Sequence, residues 1–270
     1  MRTSRLIVAT CIVAFSLLAA SWIDLGHTNA RAVVLDVGQG DAIYVRTPDG
    51  QDLLIDSGPA SGHVVDRLRA ELPRGDNDLE LIVSTHLDAD HSGGFVDVLS
   101  SFDVREVATN GATPTTKTGS AFLAAADAEH AHRRTLHAGQ RLSGQGWFAD
   151  VLWPVVGYRA TATNDAGIVL KLQTAHGCIL LTADIPDTVE QQLVDQHAPL
   201  QCQNLKVAHH GSRTSSSAPF LAAVGARTAV ISVGARNSYG HPTHEALDRL
   251  RAAGATIHRT DHEGSVTVPL

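Results

Sequence analysis

Three runs of strand-type sequence, far apart in the chain, each end in carboxylate or imidazole side chains. Leu79 to Thr85 leads into His86-Leu87-Asp88-Ala89-Asp90-His91, Leu180 to Ala183 into Asp184, and Lys206 to Ala208 into His209-His210-Gly211-Ser212. Buried strands tolerate charge only where it is paired or coordinated. Three strand ends that all carry such groups therefore predict one shared edge of the fold, with the polar ends gathered into a single pocket rim. His86, Asp88, Asp90 and His91 can surround one point because a loop, unlike a helix, can turn all of them inward. Imidazole and carboxylate are both ligands for divalent metal.

From Arg31 onward short β-rich runs alternate with helical ones and no Pro/Ser linker intervenes, so residues 31–270 read as one domain. Strands are expected at Ala32 to Val37, Ala42 to Arg46, Gln51 to Asp56, Leu79 to Thr85, Val104 to Ala108, Trp147 to Trp153, Gly167 to Gln173, Gly177 to Ala183, Leu205 to Ala208, Thr228 to Val233, Thr256 to Arg259 and Ser265 to Val268. Helices are expected at His63 to Leu72, Phe95 to Leu99, Gly119 to Ala131, Pro186 to Val194, Pro219 to Val224 and Thr243 to Ala253. Helices on the outer faces of sheets fit this order. Tight turns at Asp49-Gly50 and Ala175 to Gly177 join hairpins, which a purely parallel sheet cannot contain. The expected class is α/β, a sandwich of two mixed sheets with helices outside, in preference to a Rossmann fold.

Residues 1–30 precede that domain. Arg2 and Arg5 flank an uncharged run from Leu6 to Ile23. As a helix it would span roughly 27 Å, against a bilayer core of about 30 Å. An export signal, cleaved or retained as a single membrane anchor, follows, with the basic flank cytoplasmic and the remainder outside. The net charge is -7, from 21 basic and 28 acidic residues. That excludes a generally basic nucleic-acid coat, although bound metal would add positive charge that the sum omits. Beyond the apolar run only Cys178 and Cys202 remain. They allow one bridge and demand none, and buried free thiols suit their apolar neighbours equally well.

Taken together, Leu35-Asp36-Val37-Gly38-Gln39-Gly40-Asp41, Asp56-Ser57-Gly58, His86 to Gly94, Leu181 to Ile185, Leu205 to Ser217 and Tyr239-Gly240-His241-Pro242 resemble the metallo-β-lactamase superfamily. More closely they resemble the extracellular domain of the ComEC/Rec2 DNA-uptake proteins, over residues 31–268. The resemblance implies an αββα sandwich with two divalent metal ions, Zn²⁺ in most members and Mn²⁺ in some. Carried onto this sequence, it has His86 and Asp88 hold the first ion, Asp88 standing where the wider superfamily has a second histidine. Asp90 and His91 would hold the second, and Asp184 would bridge both. His209 is preferred to His210 as the remaining ligand because it comes first after the strand. The superfamily's middle histidine has no counterpart, and Asn164 or Asp165 in that segment are candidates in its stead.

The same resemblance makes Asp90 an orienter of the attacking water as well as a ligand. His210 and His241 are candidates for giving the leaving oxygen a proton. Ser212, Arg213 and Thr214, ahead of a helix amino terminus, would clamp phosphate. Asp36, Gln39, Asp41 and Asp56 would steady the ligands through hydrogen bonds. The expected function is a metal-dependent extracytoplasmic phosphodiesterase or nuclease that acts on DNA with metal-activated water. Two alternatives stand beside it: a metallohydrolase of another small ester, lactone or choline-phosphate-type diester, and a silent accessory of a DNA-uptake or envelope machine, motivated by the missing histidine.

DNA-uptake relatives carry this domain beside a multi-helix channel, which one hydrophobic segment cannot form. Expected partners are therefore DNA or another phosphodiester, the membrane through residues 6–23, and a separate uptake channel. The twelve Phe, Tyr and Trp residues, several in core-like strands, leave little for base stacking. Phosphate contacts should dominate, with low base specificity.

Overall fold

The computed structural model describes residues 30–270. The expected signal or anchor at residues 6–23 lies outside them, and among the described residues no helix is long and apolar enough to cross a membrane. The first sheet contains β1 (Arg31–Val34), β2 (Ile43–Arg46), β3 (Asp52–Ile55), β4 (Asp78–Ser84), β5 (Asp103–Thr109), β6 (His132–Thr135) and β14 (Val266–Pro269), in the order β14-β1-β2-β3-β4-β5-β6. The second contains β7 (Arg141–Gly144), β8 (Trp147–Trp153), β9 (Val169–Thr174), β10 (Cys178–Leu181), β11 (Asn204–Lys206), β12 (Thr228–Ile231) and β13 (Thr256–Arg259), in the order β13-β12-β11-β10-β9-β8-β7. Pairing is antiparallel from β14 through β3 and parallel from β3 to β6. The second sheet repeats the scheme, antiparallel from β7 to β10 and parallel from β10 to β13. Both sheets are mixed, as expected from the hairpins.

The eight α-helices among the described residues are α1 (Val64–Glu71), α2 (Ala89–Ser92), α3 (Phe95–Ser101), α4 (Lys117–Ala128), α5 (Asp187–Asp195), α6 (Ala218–Val224), α7 (His244–Ala252) and α8 (Thr260–Glu263). Alternation along the strands sorts the apolar residues into three layers. Ala32, Val34, Ile43, Val45, Leu53 and Ile55 meet Leu170, Leu172, Ile179 and Leu181 between the sheets. The opposite faces, Val33, Leu35, Tyr44 and Leu54, pack on Leu68, Phe95, Val98 and Phe122 from α1, α3 and α4. Leu180 and Leu205 face Val189, Leu193, Phe220, Leu221 and Leu250 from α5, α6 and α7. The result is the αββα sandwich.

Two strands escaped the sequence reading. β6 reads His-Arg-Arg-Thr and is exposed throughout, while β7 buries only Leu142. Each forms the rim of its sheet, so neither carries the alternation that a strand covered on one face displays. The expected strands at Ala32 to Val37 and Gly177 to Ala183 stop earlier, at Val34 and Leu181. Their last residues instead turn into the loops at the sheet edge, where Ala183 adopts φ 45°.

Cys178 and Cys202 are joined in a disulfide with Cα atoms 5.7 Å apart and a sequence separation of 24. Of the two options open in the sequence, the bridge is the one found. Closing a loop of that length should stabilise the fold by about 3 kcal/mol. Cys202→Ser, or reduction of the parent protein, is accordingly expected to lower the thermal midpoint by several degrees. Melting curves with and without reductant check this, and coincident curves would show that the bridge contributes nothing.

Candidate metal centre

The ends of β4, β10 and β11 deliver their polar residues to one place, although Asp90 and His91 stand on the one-turn helix α2 and not on the loop expected for them. His91 Nε2 and His210 Nε2 each lie 3.3 Å from Asp184 Oδ2, and His210 Nε2 lies 3.4 Å from Asp90 Oδ2. One donor atom from each of Asp90, His91, Asp184 and His210 falls within 4.8 Å of all the others. His86 stands against them, its ring 4.0 Å from that of His91 and its Nε2 3.7 Å from Asp88 Oδ2. A second buried group, Asp41, Asp56 and His91, adjoins the first and shares His91 with it.

Hydrogen bonding fixes which nitrogen of each imidazole faces the centre. His210 Nδ1 lies 2.9 Å from the Ser232 carbonyl, which can only accept, so Nδ1 carries the hydrogen. His91 Nδ1 donates to Asp56 Oδ2 at 2.8 Å. The Thr85 hydroxyl donates to Asp56 Oδ2 and so accepts from His86 Nδ1 at 3.0 Å. In all three rings Nε2 is the atom turned to the centre. These three Nε2 atoms and Asp184 Oδ1 are buried with no hydrogen-bond partner.

Four bare polar atoms at one spot would be costly unless the spot binds something. Donors set tetrahedrally around zinc at about 2.0–2.1 Å stand about 3.3 Å apart. That is the spacing found, and it exceeds a charge-assisted hydrogen bond. Three oriented imidazoles with carboxylates suit divalent ions of the zinc type, and His86 with Asp88 beside the compact set supplies donors for a second, while Asp41 and Asp56 face the Nδ1 side of His210 and His91 as supports.

Support comes from neighbouring loops. Asp56 also accepts the Thr85 N–H, which ties the end of β3 to the metal loop. Asp41 pairs with the fully buried Lys206, and its Oδ1 lies 3.4 Å from His210 Nδ1. Gly40 runs so close to the metal loop that a Cβ there would come within 2.1 Å of the Asp90 carbonyl oxygen. Gln39 Oε1 accepts the Gly234 N–H and so holds the loop after β12. Asp36 stays outside the centre, bonded to the Gly38 N–H and facing Arg67.

Several expected roles change place. His209 Nε2 is 3.9 Å from Asp184 Oδ2 with its side chain 29% exposed, whereas His210 joins the compact set. Both residues take left-handed backbone, φ 51° and 53°, and this turn swings the second imidazole inward. The geometry thus brings His210, and not the preferred His209, into the compact donor set. Asp165 turns its carboxylate onto the Thr161 and Ala162 N–H groups, and Asn164 Oδ1 lies 3.3 Å from the Thr163 hydroxyl. That hydroxyl donates to Asp88 Oδ2 at 2.9 Å.

The expected phosphate clamp keeps its side chains but loses its helix end. Ser212 and Thr214 hydroxyls lie 3.0 Å apart and Arg213 is exposed. The Ser216 and Ser217 N–H groups before α6, however, are taken by the buried Glu190 carboxylate.

The family described as the metallo-beta-lactamase superfamily matches residues 35–235. The chain belongs to this superfamily. It is 32% identical over 241 residues to Competence protein ComA of Neisseria gonorrhoeae, covering 89% of this chain and 32% of that protein. To ComE operon protein 3 of Bacillus subtilis it is 26% identical over 249 residues, covering 86% and 32%. To Recombination protein 2 of Haemophilus influenzae it is 27% identical over 276 residues, covering 99% and 33%. The chain spans about a third of the length of these relatives.

Among solved structures, the metallo-beta-lactamase fold protein YhfI of Bacillus subtilis superposes with a TM-score of 0.58 at 11% identity, covering 89% of this chain and 99% of that one. Tm1679, a metal-dependent hydrolase of the superfamily, gives 0.57 at 13%, covering 89% and 100%. At such identity the likeness is one of fold. Fold, donor chemistry and superfamily membership together make the chain a metal-dependent hydrolase.

Charge is distributed unevenly across this superfamily site. Burial alone would raise the Asp41 carboxyl, but Lys206 and His210 outweigh it and hold the pKa at about 2. Burial likewise works to raise Asp184, and His210 and His91 bring it well below the ordinary carboxylate range. Burial and the neighbouring His91 depress His86, and burial depresses His209 and His241. Asp56, Ala183, His209 and His210 all sit at positive φ. Such backbone is costly for residues other than glycine and collects where function fixes the chain.

Proposed function

We propose that the chain is an extracytoplasmic, metal-dependent phosphodiesterase that cleaves DNA. The observation that carries this reading is the convergence of the bare Nε2 atoms of His91 and His210 on Asp184, with the bare His86 Nε2 facing Asp88 alongside, next to a rim that carries His209, His241 and the Ser212 to Thr214 segment. Asp90, His91, Asp184 and His210 would hold one ion. His86 and Asp88, with a share of Asp184, would hold the other. When bound, such ions stabilise charge on a phosphoryl oxygen and lower the pKa of water. Asp90 then orients as it ligates, since a carboxylate committed to metal is a poor proton acceptor.

His241, half-buried with Nδ1 free of hydrogen bonds, is the residue assigned to proton transfer at the leaving oxygen. Ser212, Arg213 and Thr214 would bind the flanking phosphate. Resemblance to the ComEC/Rec2 DNA-uptake proteins, and similarity to relatives named for competence and recombination, support DNA as the substrate and a separate uptake channel as a partner. The disulfide supports a location outside the cytoplasm, with residues 6–23 as signal or anchor.

The test is a panel of phosphodiesters, lactones and choline-phosphate esters, run on the purified protein with and without added Zn²⁺ or Mn²⁺ beside elemental analysis. Phosphodiester turnover should exceed the rest by orders of magnitude and disappear on chelation. Lactone turnover of that size in its place would refute the reading.

A further inference from the structure

The small aromatic content predicts little base stacking, yet one aromatic side chain stands apart. Tyr239 is 67% exposed, the only aromatic among the exposed large hydrophobic side chains of the described residues. It lies on the loop after β12 that also carries His241. Its ring stacks on His241 with centroids 5.9 Å apart and planes at 27°. His241 meets His209 at 5.6 Å, and His209 meets His210 at 6.2 Å. A row of rings therefore runs from the metal donors to the surface and ends on an uncovered phenol.

This end of the row is held in place. Asn237 Oδ1 accepts the N–H groups of Tyr239 and His241, and Asn237 Nδ2 donates to the carbonyls of Gly234 and His241. At the far side of the loop, Pro242 packs so closely on Gly211 that a Cβ there would come within 2.6 Å of the proline ring. The loop is thus fastened to the turn that carries His210. A tyrosine kept for packing would be covered, and one on a mobile tip would need no such fastening. A fixed, bare aromatic face beside a hydrolytic centre suits a flat apolar group attached to the phosphate being cleaved.

We propose that Tyr239, backed by His241, is a stacking platform for a nucleobase of single-stranded DNA whose phosphate lies at the metal centre. This rests on the phosphodiesterase reading and narrows it. Bases in a duplex are already stacked on one another and must be pulled out to reach such a face, so the platform favours single strands. Stacking tolerates any base, so the preference is for strandedness and not for sequence.

Steady-state cleavage by the metal-loaded protein tests this, with an oligonucleotide offered as a single strand, as a duplex, and as a single strand carrying abasic sites around the cleaved position. Tyr239→Ala should raise KM about tenfold or more on the base-bearing single strand, leaving kcat within about twofold. On the abasic strand and on the duplex KM should move by less than about twofold, and Tyr239→Trp should restore the parent value. An unchanged KM on the base-bearing strand overturns the platform, as does an equal loss on the abasic strand, which would mark a distorted loop. A parent protein that cleaves no phosphodiester at all overturns the underlying reading and the platform with it.

Discussion

Replacing Asp184 by alanine is expected to reduce hydrolysis on the order of 10³-fold and to strip bound metal, with the chain still folded. Asp184 Oδ2 is the atom that His91 and His210 both approach at 3.3 Å and His209 at 3.9 Å. Without it the two inward imidazoles face each other across a gap that no other carboxylate bridges from the β10 side. Little of the fold depends on this side chain, because it belongs to none of the three apolar layers. Asp184→Asn keeps the shape and removes the charge, so an equal loss in that variant assigns the effect to ligation and not to a cavity. Elemental analysis and circular dichroism of both variants, beside turnover, make the check. Retained activity with a full complement of metal in either would remove Asp184 from the centre.

The chemistry was legible where it depended on residue type at strand ends, and illegible where it depended on the path of a loop. His86, Asp88, Asp90, His91 and Asp184 announce themselves because buried strands lead straight into them. The choice between His209 and His210 turns on two successive left-handed residues. Intrinsic preference argues against such a turn, so only tertiary contacts can impose it. Asp165 looked like a spare ligand, but acids also bond to nearby backbone N–H groups, and here that local use won. Thr163 and Ser232 act through a single hydroxyl or carbonyl each, and Thr85 through its hydroxyl and N–H, contributions with no sequence signature.

Lys206 did leave a signal. A lysine inside the apolar run Leu205-Lys206-Val207 needs a buried partner, and Asp41 supplies it. The inner strands and the six longer helices are readable in the sequence, whereas the one-turn helices α2 and α8 are too short to show a period. β6 and β7 are not readable either, because a sheet rim lacks one. Tyr239 was passed over because a count of aromatic residues does not say which of them is uncovered.

Metal loading should be steeply dependent on pH. In the ion-free protein burial works against a charged His91, but Asp184 and Asp56 outweigh it and raise its pKa well above the ordinary value of 6.5. His210 is raised in the same way by Asp184 and Asp41. His86 is depressed and enters the neutral range without a proton to lose, and Asp184 is already ionised. Binding ions at Nε2 of His91 and His210 is therefore expected to expel protons. The apparent affinity then rises with pH below the raised imidazole pKa values and levels off above them.

Stability responds differently to pH in the two states. A histidine with a raised folded pKa stabilises the ion-free chain fully below its unfolded value, and that contribution fades as pH climbs through the folded pKa. The loaded protein holds steady over the same interval, because tighter binding offsets that loss, and it gains only as pH rises toward the unfolded value, where the unfolded chain gives up protons that the loaded ligands never hold. Chelator competition and melting curves of both forms, from about pH 6 to about pH 9, read the two effects together. A proton release near zero, with parallel melting curves, would mean that both imidazoles are neutral before any ion arrives.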